Sequence, residues 1–355
     1  MVEISDSGRA GASRFVSVVI PMRNEAAHIV ACLESLAAQD VAAERFEVIV
    51  VDGESTDGSA EAISAWALRH PNVRLLHNPH RTTPFGLNDG IRHSRGEFIV
   101  ILGAHATVAP DFIRENLRAL DASGADAVGG AMDAVGQDAF AQAVAAAIAS
   151  RFGVGSIAFR QAKNDGFVDT AAFAAYRRDV FEKIGLFDEE LVRDQDDEFN
   201  YRLRARGGRI FLTPRIRSRY VARSSARRLW RQYFDYGFWK VRVLQKHPRT
   251  MQPRHFVPAS SIGAGGALIV AGLFDRRLLW AAATLAAIYV GCVIAASVRI
   301  ASSGDWRQAA RLLVIFPILH FGYGLGSLLG LIRFLPRWWT AETAPPALGS
   351  HALER

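Results

Sequence analysis

The feature that most constrains the fold is a strand–loop–helix unit that recurs along the first hundred residues. Buried strands are expected at Phe15–Ile20, Phe46–Val51 and Gly96–Leu102, with a shorter strand in "VRLLHNP". Amphipathic helices follow the first two strands, and "PFGLNDGIRHS" predicts another helix between the short strand and the last one. Repeated units of this kind predict an α/β fold, in which a parallel sheet carries helices on its faces.

Polar clusters fall where three of these strands end. Arg23, Asn24 and Glu25 follow the first strand, Asp52 follows the second, and the triplet Gly103-Ala104-His105 follows the last. In parallel sheets, ligands bind beyond the carboxyl ends of the strands. Helix capping alone explains the Ser, Thr and Asp residues of "GESTDGS". It explains Asp52 poorly, because Asp52 precedes the cap position, so we expect Asp52 to contact a base or a ribose.

A second polar cluster lies in "VRDQDDEFNYRL", where Asp194, Asp196, Asp197 and Glu198 occupy four of five positions. The beginning of a helix favours acidic residues because of its dipole, and Asp194 is placed to cap it. That account suffices for Asp194 and Glu198. Four carboxylates so close together repel one another, however, so we expect at least one of them to be functional.

The chain from Phe256 to Phe334 is mostly apolar. Three of its segments approach the length that crosses a bilayer as a helix, about 20 residues: Phe256–Phe274, Leu278–Val298 and Leu312–Ile332. Buried core helices are the alternative, but little soluble domain is left to cover them. The first residues contain no apolar leader segment, so we expect the first domain to stay in the cytosol. With only Cys32 and Cys292, neither a disulfide nor a zinc site is expected.

The net charge of +7 is concentrated before the apolar tail. Between Asn200 and His255 there are sixteen Lys and Arg residues and one acid, Asp235, with aromatic residues interleaved from Trp230 to Trp239. A solvated basic face and a nucleic-acid site are the alternatives. Rings and cations together, directly before apolar segments, favour contact with an anionic membrane surface and no nucleic acid.

Several motifs, in order, resemble one known family. They are "VSVVIPMRNE", "VIVVDGESTDGS", "GLNDGIRHSRGEFIVILGAHA", "GLFDEELVRDQDDEFNYRLRARGG" and "RQYFDYGFWK". Together they look like a family 2 glycosyltransferase with the GT-A fold, a Rossmann-like nucleotide-diphospho-sugar transferase domain. More narrowly, they resemble the membrane-attached ExoA-type enzymes of succinoglycan and other exopolysaccharide assembly. The resemblance covers residues 15–255 and is more specific for the fold than for the sugar.

The resemblance implies an inverting hexosyltransferase at the inner face of a bacterial-type cell membrane. It implies a nucleotide-sugar donor of the UDP type, a polyprenyl-linked saccharide acceptor, C-terminal transmembrane helices and partners in polysaccharide assembly. A polyprenyl-phosphate hexosyltransferase is the enzymatic alternative. A membrane scaffold that binds a nucleotide-sugar without turning it over is the alternative of another class.

The resemblance also implies roles for individual residues. Asp196 is the candidate base, because it aligns with the Asp of the family's Glu-Asp pair; Asp197 is second, because the crowded acids leave the register open. The residues implied to border the nucleotide-sugar are Pro21, Arg23, Asn24, Glu25, Asp52, Gly103 and Ala104. Gln232 is implied to contact the diphosphate or the acceptor, and Asp169 the acceptor.

The family's Asp-x-Asp metal motif is altered in this chain. Gly103 stands where the first carboxylate is expected, and His105 is left as the candidate ligand of a divalent cation, Mn²⁺ or Mg²⁺. Imidazole suits Mn²⁺ better than Mg²⁺, which prefers oxygen. Three outcomes remain open. His105 and the substrate diphosphate hold the metal, Arg or Lys residues such as Arg23 and Arg81 replace it, or the chain is a weak catalyst.

These expectations divide the chain into five parts. A flexible N-terminus (1–14) precedes the glycosyltransferase domain (15–222). A basic, aromatic membrane-interface segment (223–255), a transmembrane region of about three helices (256–334) and a tail (335–355) follow.

Overall fold

The computed structural model describes residues 14–155, 157–160, 163–301, 305–339, 345 and 348. The N-terminal segment expected to be flexible lies outside the described residues except for Arg14, as does most of the tail after residue 339. The strands are β1 (Val16–Met22), β2 (Phe46–Asp52), β3 (Val73–His77), β4 (Phe98–Ile101), β5 (Ala106–Val108), β6 (Ala127–Val135), β7 (Gly166–Val168), β8 (Ala175–Arg177) and β9 (Ile210–Val221). The helices are α1 (Ile29–Ala37), α2 (Ser59–Ala67), α3 (Thr83–Arg92), α4 (Phe112–Ser123), α5 (Ala139–Ala149), α6 (Arg151–Val154), α7 (Arg178–Ile184), α8 (Gln195–Ala205), α9 (Ala226–Lys246), α10 (Val257–Ala271), α11 (Arg276–Ile300) and α12 (Trp306–Arg333).

One mixed sheet organises the first domain. Its strand order is β3-β2-β1-β4-β8-β6-β9-β5, with β7 paired to β9. The four strands β3, β2, β1 and β4 are parallel, as the strand–loop–helix repeat predicts, whereas β8 runs antiparallel to β4 and to β6. The register that pairs Met22 with Asp52 brings the ends of β1 and β2 level. Their two following loops therefore start side by side.

Both faces of the parallel strands are covered, which explains their nearly continuous apolar sequences. Val18 and Ile20 of β1 point into a core shared with α1 and α4, whereas Val19 points into a second core with α3, α7 and α8. The amphipathic pattern of α1 is confirmed, since Ile29, Leu33 and Leu36 form its buried face. In α2, Ile63 is buried, whereas Leu68 follows the end of that helix and is 88% exposed.

Three helices occupy the apolar C-terminal region. α11 has 25 residues and α12 has 28, and both are long and apolar enough to cross a membrane; α10 has only 15 residues. The two long helices differ in their surroundings: 6% of the most apolar stretch of α11 is buried, against 44% for α12. One face of α12 is therefore buried against the rest of the protein, which length and composition alone do not reveal.

The buried side of α12 lies against α9 at backbone distance. Gly322, Gly326 and Gly330 recur every four residues on α12, and Gly237 faces them from α9. A Cβ atom on Gly326 would lie 2.1 Å from the carbonyl oxygen of Phe234, and one on Gly237 would lie 1.9 Å from that of Tyr323. Small residues with this spacing allow two helices to approach closely. Any side chain at these positions would force the two helices apart.

We expect Gly326→Ala to destabilise the protein, because the added methyl group meets backbone that cannot rotate away. Overpacking of this kind costs about 1–3 kcal/mol. Gly291→Ala is the matched control, since a Cβ atom at Gly291, also within a C-terminal helix, has nothing within 4 Å. The control should be neutral or slightly stabilising, because Ala favours helix by about 1 kcal/mol over Gly. Melting temperatures in detergent test this pair; equal values would contradict the close packing.

Candidate active site

The loops after β1 and β2 are joined by hydrogen bonds between backbone and side chains. The backbone N–H of Asn24 donates to Ser55 Oγ at 2.8 Å, and the N–H of Thr56 donates to Asn24 Oδ1 at 2.8 Å. Further along, the N–H groups of Glu25 and Ala26 donate to Ser59 Oγ and Asp57 Oδ2, at 2.9 and 3.0 Å. The Ser, Thr and Asp residues that follow β2 thus form hydrogen bonds with the loop after β1 as well as within their own segment.

Asp52 ends β2 and is buried. Its carboxylate accepts the backbone N–H of Ser55 at 3.2 Å and the Ser55 hydroxyl at 2.5 Å. Capping of the turn thus accounts for more of Asp52 than the sequence suggested. The other two residues at the rim take ordinary places: Pro21 pairs with Val51 inside the sheet, and Arg23 is exposed.

Left-handed backbone conformations mark this edge of the sheet. The described non-glycine residues with positive φ are Asn24, Glu54, Arg81, Phe173 and Asp194. The first three lie in the loops after β1, β2 and β3, and Asp194 directly precedes α8. Strained backbone tends to cluster at functional sites. This edge is therefore the candidate active site.

His105 sits at the centre of a polar row. Its Nδ1 lies 3.2 Å from Oε1 of Glu25, and its ring meets that of Tyr220 edge-on at 5.0 Å. The side-chain amide of Gln232 on α9 donates to the hydroxyls of Tyr220 and Tyr236, both at 3.0 Å. Glu25, His105 and Gln232, which the sequence singled out separately, thus belong to one row of contacts.

The electrostatics of Glu25 depend on this row. Burial acts to raise the pKa of Glu25, but the hydrogen bond and charge of His105, with smaller effects of Arg223 and His28, lower it. Burial lowers the pKa of His28, and the charges of His105, Arg223 and Arg228 lower it further against the effect of Glu25. These two arginines therefore bring positive charge from the basic block to the edge of the sheet. Arg81, the other candidate cation, forms an ion pair with Glu54.

Gly103 and Ala104 line the same edge without a polar side chain. Ala104 is buried, and a Cβ atom on Gly103 would lie 3.1 Å from the ring of Phe173. The space where the family places its first metal-binding carboxylate is thus crowded by an aromatic ring. Within the described part of the chain, no three His, Cys, Asp or Glu side chains meet in a metal-binding group.

The acidic cluster at the start of α8 is organised by a lysine. Lys240 of α9 is buried, and its Nζ lies 2.5 Å from Asp197 Oδ2 and 3.1 Å from Asp194 Oδ1. Thr170 also donates to Asp197, at 3.1 Å. Asp194 occupies the cap position of α8 as expected, but its side chain makes no capping hydrogen bond. Its carboxylate is committed to Lys240 instead.

Asp196 differs from its two neighbours. Its side chain is exposed, and among the described residues no side chain forms a hydrogen bond or an ion pair with it. Desolvation among the crowded groups and then the charge of Asp197 raise the pKa of Asp196 to about 6. For Asp197, burial acts in the same direction, but Lys240 outweighs it and lowers the pKa. The two candidates for the base thus differ. Asp196 is accessible, whereas the negative charge of Asp197 is balanced by the ion pair with Lys240.

Lys240 was missed in the sequence because it lies within the basic block assigned to the membrane surface. A usable signal was present. Leu229, Tyr233, Gly237 and Lys240 recur every three or four residues and form the buried face of α9. A lysine on such a face requires a buried counter-charge.

Two further acids have structural partners. Asp169 forms an ion pair with Arg204 at 2.8 Å and accepts the side-chain amide of Gln252 at 2.8 Å. Glu198 is buried, and its two carboxylate oxygens accept hydrogen bonds from Nε and Nη2 of Arg202, each at 2.9 Å. Its Oε1 also lies 3.0 Å from His247 Nε2. Glu198 therefore ties α8 to the end of α9 and takes no part in the accessible site.

Comparison with known proteins identifies related chains. The family model described as glycosyl transferase family 2 matches residues 17–185. A glucuronosyltransferase of Methanococcus voltae that acts on a dolichyl N-acetylglucosaminyl phosphate is 31% identical over 240 residues, which are 65% of this chain and 74% of the relative. The succinoglycan biosynthesis protein ExoA of Rhizobium meliloti is 27% identical over 322 residues, 90% of this chain and 96% of the relative.

Two solved structures share the fold. The mannosyltransferase PcManGT of Pyrobaculum calidifontis, in complex with GDP-Man and Mn²⁺, superposes with a TM-score of 0.56 and 22% identity, over 88% of this chain and 86% of the other. TarS of S. aureus in complex with UDP-GlcNAc superposes with a TM-score of 0.53 and 16% identity, over 90% of this chain and 91% of the other. The expected GT-A type of α/β fold is thereby confirmed.

Glu198→Gln is expected to lower the free energy of unfolding by about 3–5 kcal/mol, because it leaves Arg202 buried without its counter-charge. The bonds from His247 and Arg202 lower the pKa of Glu198 against the effect of burial. This stabilisation is therefore complete above the unfolded-state pKa of about 4.3 and is lost as the pH falls through the lower, folded-state pKa. Thermal melts at pH 7 and at pH 3 to 4 measure it.

The control for this prediction is Asp179→Asn, which removes an exposed acid from the first turn of α7. Exposed ion pairs contribute little to stability, so its melting temperature should match that of the parent protein. A Glu198→Gln protein that melted like the parent would contradict the structural role of Glu198.

Proposed function

The chain belongs to glycosyl transferase family 2 and is a glycosyltransferase, and on that premise we propose that it transfers a hexose with inversion from a nucleoside-diphosphate sugar to a lipid-linked saccharide. The exposed Asp196 in the first turn of α8 is the observation that carries this proposal. An exposed carboxylate with a pKa of about 6 supports a role as the base of such a transfer.

The donor would lie on the loops after β1 and β2. Asp52 and the loop from Pro21 to Glu25 would face the base and ribose, and a uracil-type base is our choice for a chain with this resemblance. TarS binds UDP-GlcNAc and PcManGT binds GDP-Man in the same fold, which supports a nucleotide-sugar but does not select between the two bases.

Asp196 would act as the base. Inverting transfer needs a carboxylate that takes the proton from the acceptor hydroxyl while that oxygen attacks the anomeric carbon from the side opposite the leaving diphosphate. The glycosidic C–O bond forms as the bond between the anomeric carbon and the diphosphate oxygen breaks. The electron pair of the broken bond leaves with the diphosphate. A pKa of about 6 leaves Asp196 mostly ionised at neutral pH and still basic enough to receive the proton.

A divalent cation would be held by His105. Histidines that bind metals usually donate their other ring nitrogen to a carboxylate, and the contact between Nδ1 and Glu25 has this arrangement. His105 would then offer Nε2, and oxygens of the substrate diphosphate and water would supply the remaining ligands. When bound, the cation would stabilise the negative charge of the leaving diphosphate. Arg223 and Arg228 would add positive charge from the protein itself.

The acceptor would reach the site from the membrane side. We assign residues 15–222 to the catalytic domain, 223–255 to the segment that borders the membrane and 256–334 to the membrane region, with α11 and α12 as its spans and the catalytic domain in the cytosol. The relatives named above support a lipid-linked acceptor, since one acts on a dolichyl-linked sugar phosphate and the other serves succinoglycan biosynthesis.

Asp196→Asn is expected to lower turnover by about 10²–10⁴-fold, because the amide cannot accept the acceptor proton. Nucleotide binding should change little, since Asp196 contacts no donor-binding residue in the structure. The measurement is nucleotide release from a panel of UDP- and GDP-sugars in the presence of membrane lipid extract, with calorimetry for binding. Asp179→Asn is the control, as another acid in the first turn of a helix. Unchanged turnover in Asp196→Asn would contradict the assignment.

Removal of divalent cations is expected to abolish turnover, and Mn²⁺ should restore it better than Mg²⁺, because the one protein ligand is an imidazole. His105→Ala should weaken the activation by Mn²⁺, whereas His93→Ala, at the exposed end of α3, should not. Titration of Mn²⁺ into EDTA-treated protein measures this. Turnover that survives EDTA would instead assign the stabilisation of the diphosphate to Arg223 and Arg228.

A further inference from the structure

We propose that Lys240 is a positioning residue that holds Asp194 and Asp197 as a buried charge cluster and thereby leaves Asp196 as the single carboxylate free to accept the acceptor proton. The proposal rests on the proposed function, since it explains how the base of that reaction is selected. It adds a residue from the membrane-side helix α9 to the catalytic mechanism.

The geometry around Lys240 leaves it little freedom. Its side chain is 9% exposed and reaches two aspartates, whose own side chains are 9% exposed for Asp194 and 24% for Asp197. Oδ2 of Asp194 is buried and has no hydrogen-bond partner among the described residues. Asp194 thus depends on the lysine to balance the charge of its carboxylate.

The charges of the cluster are consistent with this arrangement. Burial opposes the protonated form of Lys240, but Asp194 and Asp197 outweigh burial and raise its pKa well above the usual value. Burial raises the pKa of Asp194 to about 7, against the effect of Lys240. The firm ion pair is therefore that of Lys240 with Asp197, and Asp194 is the more weakly charged partner. Desolvation among the crowded groups and the charge of Asp197 raise the pKa of Asp196, and the charge of Lys240 opposes them.

Other charged and titratable groups surround the cluster without replacing Lys240. They are Tyr176 on β8, Arg193 before α8, Tyr201 on α8, Tyr236 on α9, Tyr323 on α12, and Arg254 and His255 before α10. The pKa of His255 is lowered to about 4 by burial and then by Lys240 and Arg254, so it is neutral at physiological pH. Lys240 is thus the residue that hydrogen-bonds and neutralises the acids directly.

The contact between α9 and α12 also fixes the position of Lys240. Gly237 lies one helical turn before Lys240, and its Cα is in close approach to the backbone of α12 at Tyr323. Ser327 of α12 donates to the carbonyl oxygen of Gly237 at 3.2 Å. A shift of α12 along α9 would therefore move the lysine relative to the aspartates.

The test compares Lys240→Met with Lys240→Arg and Lys246→Met. Lys246 is a matched control, because it lies on the same helix and is buried against two acids, Asp188 and Glu190, outside the cluster. In the parent protein, kcat/KM for nucleotide release should fall below a pH of about 6, as the base becomes protonated. Without the positive charge of Lys240, the carboxylates bind protons more tightly. In Lys240→Met the acid limb of the profile should therefore move up by about one pH unit or more. Lys240→Arg and Lys246→Met should keep the parent profile.

A readout without turnover keeps the proposal testable if Lys240→Met is inactive or the donor is not found. Loss of the Lys240 charge leaves the carboxylates of the cluster to repel one another at high pH. At low pH, protonation of the carboxylates relieves this repulsion. The difference in melting temperature between the parent and Lys240→Met should therefore be largest near pH 8 and should shrink toward pH 5. For Lys246→Met, the difference should persist to lower pH, because Arg242 still pairs with Glu190 at 2.8 Å and lowers its pKa against the effect of burial.

The outcomes separate the two proposals. If Asp196→Asn abolishes turnover while Lys240→Met keeps the parent acid limb, Lys240 is merely structural and the function stands. If Asp196→Asn retains turnover, the base assignment fails. A difference in melting temperature for Lys240→Met that does not vary with pH would overturn the role of Lys240 whether or not turnover is observed. Should Lys240→Met not fold, Lys240→Gln removes the same charge and keeps a polar group.

Discussion

The close approach of α9 and α12 is the contact on which the rest of the site depends. Glycines on both helices bring backbone against backbone, so the helix that carries Lys240 and Gln232 cannot move independently of the apolar C-terminal region. Because α8 is tied to the same helix through Lys240 and through His247, the acidic cluster inherits that constraint. The acidic cluster and the apolar C-terminal helices are therefore parts of one packing arrangement rather than two modules in series.

The missing carboxylate at position 103 has a similar explanation in packing. Phe173 adopts a left-handed conformation and places its ring against Gly103, where an aspartate would need space. Nδ1 of His105 lies 3.2 Å from Oε1 of Glu25, which orients the imidazole. Gly103 and the ring of Phe173 thus fit together, whereas an aspartate in place of Gly103 would require the ring to shift.

Much of the fold could be predicted from the sequence, because local periodicity determines it. The strands from β1 to β4 and the helices between them follow patterns that extend over only a few residues, and the polar residues at the strand ends were found for the same reason. What the sequence could not provide were contacts between distant segments. The choice between Asp196 and Asp197 depends on Lys240, 43 residues after Asp197, and the buried side of α12 depends on α9. Composition assigned α9 to the membrane surface and α12 to the membrane, although each of these helices also buries one face within the protein.

The hydrogen bonds between the loops of β1 and β2 have a consequence for how such a site can change over evolutionary time. Surface loops ordinarily accept insertions because each satisfies its own backbone. Here the amides of Asn24, Glu25 and Ala26 are satisfied by side chains of the other loop, and the amide of Thr56 by Asn24. A residue inserted in one loop would leave unpaired groups in both. The lengths of these two loops are therefore linked, and variation at this edge of the sheet has to arise by substitution within loops of fixed length or from other segments.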